Sequence, residues 1–180
     1  MIRPGDIGFG GKRKGFYPNA VRFFTKSRWS HCFVVTPPYL GELSVLEADL
    51  KVQVVPFHKE YVEKDADYYE IWRPIAASDS DVWSAASKTW LESAGSVYGF
   101  FSIPWFAIRA IVALAKVKLT KNWFPEGEIC SETLWQFIDN LGGEYQKLVS
   151  TSGENETSPQ DLYALVTSRP DLFQFVAKRD

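Results

Sequence analysis

Cys130 has the surroundings that best suit covalent chemistry. It follows Pro125 and Gly127 and opens the apolar-periodic run CSETLWQFIDN, which predicts a helix reaching Gly142. A thiol attacks a carbonyl carbon well only as a thiolate, and the positive end of a helix dipole favours that anion. Unpaired backbone N–H groups in the same first turn can stabilise the oxyanion of a tetrahedral intermediate. Such a nucleophile needs a base that reaches it through the fold rather than along the chain. His31 begins the run HCFVVT, rich in β-branched and aromatic residues, and so stands at the start of a predicted strand. A third group must fix the imidazole tautomer and support its charged form. Glu47, in the next predicted strand, lies beside His31 if the two strands pair. Each residue taken alone also fits a structural reading, as a packed cysteine or a hydrogen-bonded strand-end histidine. Their joint arrangement points to a thiol hydrolase.

The neighbours of these residues are weighed in the same way. Cys32 adjoins His31 on one strand, so its side chain points to the opposite face and is expected in the core. His58, just after Pro56 and Phe57, reads as a turn or surface histidine. Glu132 sits in the first helical turn, where a carboxylate complements the dipole, and reads as structural. Ser131 is expected to border the substrate, its backbone N–H toward the oxyanion. Trp29 and Tyr98 have rings suited to flanking a groove or to filling a core. Asp6 reads as a turn residue. Two cysteines and two histidines match no closed zinc-site spacing, and no metal or other cofactor is expected.

The elements that must position these groups follow from periodicity and punctuation. Short strands are predicted at Asp6 to Phe9, at HCFVVT up to Pro37 and Pro38, at SVLEA (44–48), at KVQVVPF (51–57) and at YYEIWRP (68–74). The middle three suggest a small antiparallel meander. Helices are predicted after Pro18 and Asn19, and from Ser80, where Val82, Trp83, Ala86, Trp90 and Leu91 recur before Gly95. Further helices are predicted over 104–118 and from Cys130. A polar loop spans 150–159, and the tail carries one short helix and a strand at LFQFV. Strands and helices in this order give an α+β layered fold, with a small antiparallel sheet packed against helices.

At 180 residues with 46% hydrophobic content, the chain is expected to bury one sizeable core as a single domain over 1–180. A net charge of -2 gives no global attraction to nucleic acid, and no nucleic-acid partner is expected. Lys12, Arg13, Lys14, Arg22, Lys26 and Arg28 form a local basic stretch that reads as a solvated face. The start MIRPGDIGFGG lacks an apolar run, so no signal peptide is expected. The apolar segment at about 100–118 is interrupted by Pro104, Arg109 and Lys116, so it reads as a core or partner-facing helix rather than a membrane span.

The ordered motifs resemble the circularly permuted branch of the NlpC superfamily of papain-like hydrolases. This branch comprises the YiiX-type proteins, related to lecithin retinol acyltransferase-like enzymes. PGDIGF (4–9) looks like the family's opening strand, SHCFVV (30–35) like its histidine strand, VLEA (45–48) like its acidic strand, ICSETLW (129–135) like its nucleophile helix, and SPQDLY (158–163) like its closing segment. The histidine precedes the cysteine, as in the permuted branch.

The resemblance implies a permuted papain-like fold with Cys130 as nucleophile, His31 as base and Glu47 as orienting acid. Tyr98, in VYGF, matches the aromatic position before the nucleophile, and the segment at 100–118 is then an apolar helical insertion. The implied activity is hydrolysis of an amide bond, most often in a peptidoglycan peptide, by a cytoplasmic or virion-associated protein acting at the cell envelope. Two alternatives stay open. One is a lipid or acyl-group amidase or acyltransferase that meets a membrane surface or protein partner through 100–118. The other is a non-catalytic binding or structural component of a larger assembly such as a virion.

Overall fold

Runs of β-branched and aromatic residues form strands because a pleated surface accepts such side chains on both faces. The computed structural model describes residues 1–11, 18–19, 22–23, 26–39, 41–48, 51–63, 68–94, 130–151 and 157–180. Its strands are β1 (Ile7–Gly11), β2 (His31–Tyr39), β3 (Glu42–Ala48), β4 (Val52–Pro56), β5 (Tyr68–Pro74) and β6 (Phe173–Arg179). They pair antiparallel in the order β4-β3-β2-β1-β5-β6. The expected meander is β2-β3-β4, but β5 pairs with β1 rather than continuing it. Between β4 and β5 the chain runs through a π-helical turn, His58–Glu63. Pro37 and Pro38, expected to end β2, lie within it. The register against β3 shifts between Thr36 and Tyr39, and such a bulge accommodates residues that have no N–H to donate.

The described helices are α1 (Asp79–Ser93), α2 (Cys130–Asn140), α3 (Gly143–Ser150) and α4 (Pro159–Thr167). Ser78 caps α1 and Ser158 caps α4, each closing a reciprocal box with the aspartate three residues on, Asp81 or Asp161. Trp83, Trp90 and Leu91 do not form the buried face of α1 but are exposed, while Val82, Ala85, Ala86, Thr89 and Ser93 are buried. Small residues on that face let α1 approach α2 closely. Ser93 Oγ donates to Gln136 Oε1 at 2.7 Å and Asn140 Nδ2 to Thr89 Oγ1 at 3.0 Å across the gap. In α2, Cys130, Leu134, Phe137 and Ile138 share one buried face at helical spacing. Gly142 and Gly143, at φ of 72° and 55°, turn the chain into α3, a helix the sequence reading does not contain.

The sheet has two dissimilar faces. Ile7, Phe9, Cys32, Val34, Leu46 and Ala48 form one core with residues from all four helices, among them Ala85, Leu134, Tyr145 and Leu162. Phe33, Val35, Val45 and Ile71 form the other with Phe57 and Tyr61 of the crossing strap, residues 57–63. Gly8 serves this second face, because a Cβ there would overlap the Phe33 ring.

Asp6 is fully buried rather than a simple turn residue. It accepts Arg73 Nε at 2.7 Å, Arg73 Nη2 at 2.8 Å and the Arg3 amide at 2.9 Å, tying the head of β1 to β5. The helix expected after Pro18 and the loop at 150–159 are described only in part. The expected stop at Gly95, the helix over 104–118 and the apolar insertion at about 100–118 lie outside the described residues.

Candidate functional site

The first residue of β2, the sixth of β3 and the first of α2 meet at one end of the sheet. β2 and β3 pair so that Glu47 lies opposite Phe33, two residues from His31 on the same face. His31 Nε2 is 3.1 Å from Glu47 Oε2. That bond engages Nε2 and leaves Nδ1 to serve Cys130, whose side chain is hydrogen-bonded to His31. Glu47 takes two further donors: the Tyr61 phenol on Oε2, and Gln53 Nε2 on Oε1 at 3.2 Å. Cys130 and Glu47 are buried, while the His31 side chain remains 22% exposed and provides the opening to solvent.

The charges in this array support one another. The Cys32 thiol donates to the Cys130 sulfur; with His31 alongside, it holds the Cys130 thiol well below its ordinary pKa against the opposing effect of burial. Burial also works against a charged His31, yet Cys130 and Glu47 raise the imidazole well above its usual value. For Glu47, burial favours the neutral acid, but the donors His31, Tyr61 and Gln53 outweigh it and lower its pKa. Cys32 and Tyr61 are both pushed up, by burial first and then by Cys130 and Glu47 respectively. They therefore remain protonated donors to the anions beside them. These interactions favour a thiolate–imidazolium pair backed by a carboxylate, with Cys32 and Tyr61 as donors on either side.

The structure thus brings together Cys130, His31 and Glu47. It places Cys32 in the core as expected, but against the Cys130 sulfur, so it also acts on the thiolate. Trp29 is corrected: at 1% exposure it packs among Phe9, Tyr68 and Tyr163 and has no free face for a substrate. Ser131, expected to border the substrate, is fully buried, and its Oγ has no hydrogen-bond partner among the described residues. Tyr98 lies outside the described residues. His58 is an exposed turn residue 3.5 Å from Glu63, and Glu132 is buried in the first turn of α2.

Sequence reasoning missed Tyr61 and Gln53. Gln53 had a usable signal, since it sits opposite Glu47 once β3 and β4 pair. Tyr61 had none, because a π-turn leaves no hydrophobic period to read.

Together these features define an α+β domain whose antiparallel sheet carries helices on one face and a strap on the other. No protein-family model and no curated protein sequence matches the chain. Among solved structures, metalloprotein yiiX from Escherichia coli O157:H7 shares the fold, with a TM-score of 0.62 and 20% identity over 98% of this chain and 97% of that one. The fold is therefore YiiX-like along its length. Among the described residues of this chain, no three His, Cys, Asp or Glu side chains converge as a set able to hold a metal ion. Nor is any described helix long and apolar enough to cross a membrane.

Proposed function

We propose that this chain is a permuted papain-like cysteine hydrolase of the NlpC superfamily that cleaves an amide bond, with a peptidoglycan peptide as substrate. The observation that supports the reading is the buried Cys130–His31–Glu47 array, whose interactions favour thiolate and imidazolium together. In this mechanism the Cys130 thiolate attacks the carbonyl carbon while backbone N–H groups at the head of α2 receive the oxyanion. His31 donates its proton to the departing amine as the C–N bond breaks, leaving a thioester. It then takes a proton from water, which attacks that thioester and releases the acid. Glu47 holds Nε2 throughout, so Nδ1 stays aimed at the sulfur.

The solved neighbour is described as a metalloprotein. In this chain His31 Nε2 is bonded to Glu47, and among the described residues no three His, Cys, Asp or Glu side chains are grouped so as to hold a metal ion. No step in this mechanism uses one. The peptidoglycan assignment rests on the resemblance of the motifs to the NlpC superfamily and implies action at the cell envelope.

The deciding experiment is incubation of purified peptidoglycan with wild type and Cys130→Ala, with products identified by mass. New termini are expected from wild type alone; equal products from both would remove the assignment. The apolar sequence at about 100–118 favours a second reading, an acyl-group amidase or acyltransferase. Vesicle flotation with and without that segment distinguishes it, since binding that depends on the segment belongs to the second reading only.

A further inference from the structure

We propose that Tyr61 is a positioning residue of this site: its phenol, bonded to the Glu47 oxygen that also holds His31, keeps that carboxylate ionised and aligned. The proposal rests on the Cys130–His31–Glu47 reading and adds a fourth member from the strap that covers the His31 and Glu47 face of the sheet.

Three observations carry it. First, Tyr61 and His31 share one acceptor atom, Glu47 Oε2, so the phenol acts on the oxygen that orients the base. A carboxylate this buried reverts to the neutral acid unless donors hold its charge, and a neutral acid cannot support an imidazolium. Second, the phenol is fixed from several directions. Its ring lies 4.1 Å from Phe33 and 5.6 Å from Phe57, centroid to centroid, and nearly parallel to the His31 ring, at 14°. The Phe33 ring in turn occupies the space above Gly8.

Third, the backbone at Tyr61 is held from the far edge of the sheet. Arg179 Nη1, on β6, donates to the carbonyls of Tyr61 and Val62 at 3.0 and 3.2 Å. The π-helical turn itself is an uncommon backbone form that often marks functional positions. A side chain so constrained suits precise orientation of a partner. The titratable groups facing this cluster are His31 and Cys32 from β2, Glu47 from β3, Cys130 from α2 and Glu60 from the turn itself.

The test is the pH dependence of Cys130 alkylation by iodoacetamide in the full-length chain, followed by mass of the Cys130 peptide. Tyr61→Phe keeps the ring and removes the donor. The acid limb of the profile should move up by roughly 0.5–1 pH unit, as expected for losing one hydrogen bond to a charged group. In a Glu47→Gln background the same substitution should add nothing, because its effect passes through Glu47. Val166→Ala, which loosens the helix-side core and keeps the phenol with its aromatic neighbours, should leave the limb in place.

An unmoved limb in Tyr61→Phe, or a shift that persists undiminished in Glu47→Gln, overturns the proposal while leaving the catalytic reading standing. If wild-type Cys130 reacts no faster than in denatured protein, both fail. Should Tyr61→Phe not fold, proton NMR of the wild type decides: a downfield Tyr61 hydroxyl signal that moves upfield in Glu47→Gln supports the bond to the carboxylate, and an unmoved signal or none overturns it.

Discussion

On one face of the sheet, the four described helices bury a broad apolar layer around Leu134, Phe137 and Ile138, and Cys130 belongs to that layer. On the other, a single strap covers a smaller cluster, and beside it sit the polar groups His31, Glu47 and Tyr61. The helix face is held mainly by area removed from water. The strap face is held by aromatic contact and by hydrogen bonds that end on one carboxylate. In the proposed mechanism, this separation lets the nucleophile rest on a rigid base while its proton acceptor is tuned by groups from the opposite side. They meet where β2 begins, because alternation sends His31 to one face and Cys32 to the other.

Three comparisons break or sharpen that division. The largest effect is expected at the meeting point: His31→Ala should lower turnover of peptidoglycan about 10³–10⁴-fold. Glu47→Gln should cost only roughly 10–100-fold, since its amide oxygen can still accept from Nε2. The reverse ranking in a product-release assay would contradict these roles.

Next come the two cores. Phe137→Ala, on the helix face, should cost about 3–5 kcal/mol in urea unfolding and leave the pH profile of the folded protein unchanged. Gly8→Ala forces the Phe33 ring out of its place. It should cost less stability, roughly 1–3 kcal/mol, but disturb Tyr61 and so move the acid limb. Identical pH profiles in the two variants would show that the faces are not functionally distinct.

The smallest effect concerns pH and Cys32. With Cys130 lowered and His31 raised, the pair exists between an acid limb below the ordinary thiol range and an alkaline limb above the ordinary imidazole range. Activity should therefore be bell-shaped, rising as the thiolate forms and falling as the imidazolium is lost. Cys32→Ala removes a donor to the thiolate, so the acid limb should rise by roughly 1 unit while the alkaline limb changes less. Alkylation rates measured across pH would show it; a downward move would mean that Cys32 opposes the thiolate.

Much of this was readable along the chain. β3, β4, β5, α2 and α4 fall close to their predicted spans. The local signals misled where a third partner intervened. Pro37 and Pro38 marked an end that a bulge absorbs. The tryptophans and Leu91 of α1 suggested a buried face, but close contact with α2 selected alanines instead. Trp29 was open to a groove or a core, and three surrounding aromatic residues claim it for the core.

The sequence by itself determined most of the strands and the helix headed by Cys130, because period and punctuation are local properties, and the order of its motifs singled out Cys130, His31 and Glu47 as candidates. Only the tertiary structure decided that Tyr61 and Gln53 share Glu47, that Cys32 touches Cys130 and that Asp6 closes on Arg73. Those pairings join residues on different strands, turns and helices. Their energy comes from desolvated charges brought within hydrogen-bonding distance, a quantity that exists only once the sheet and helices have set the distance.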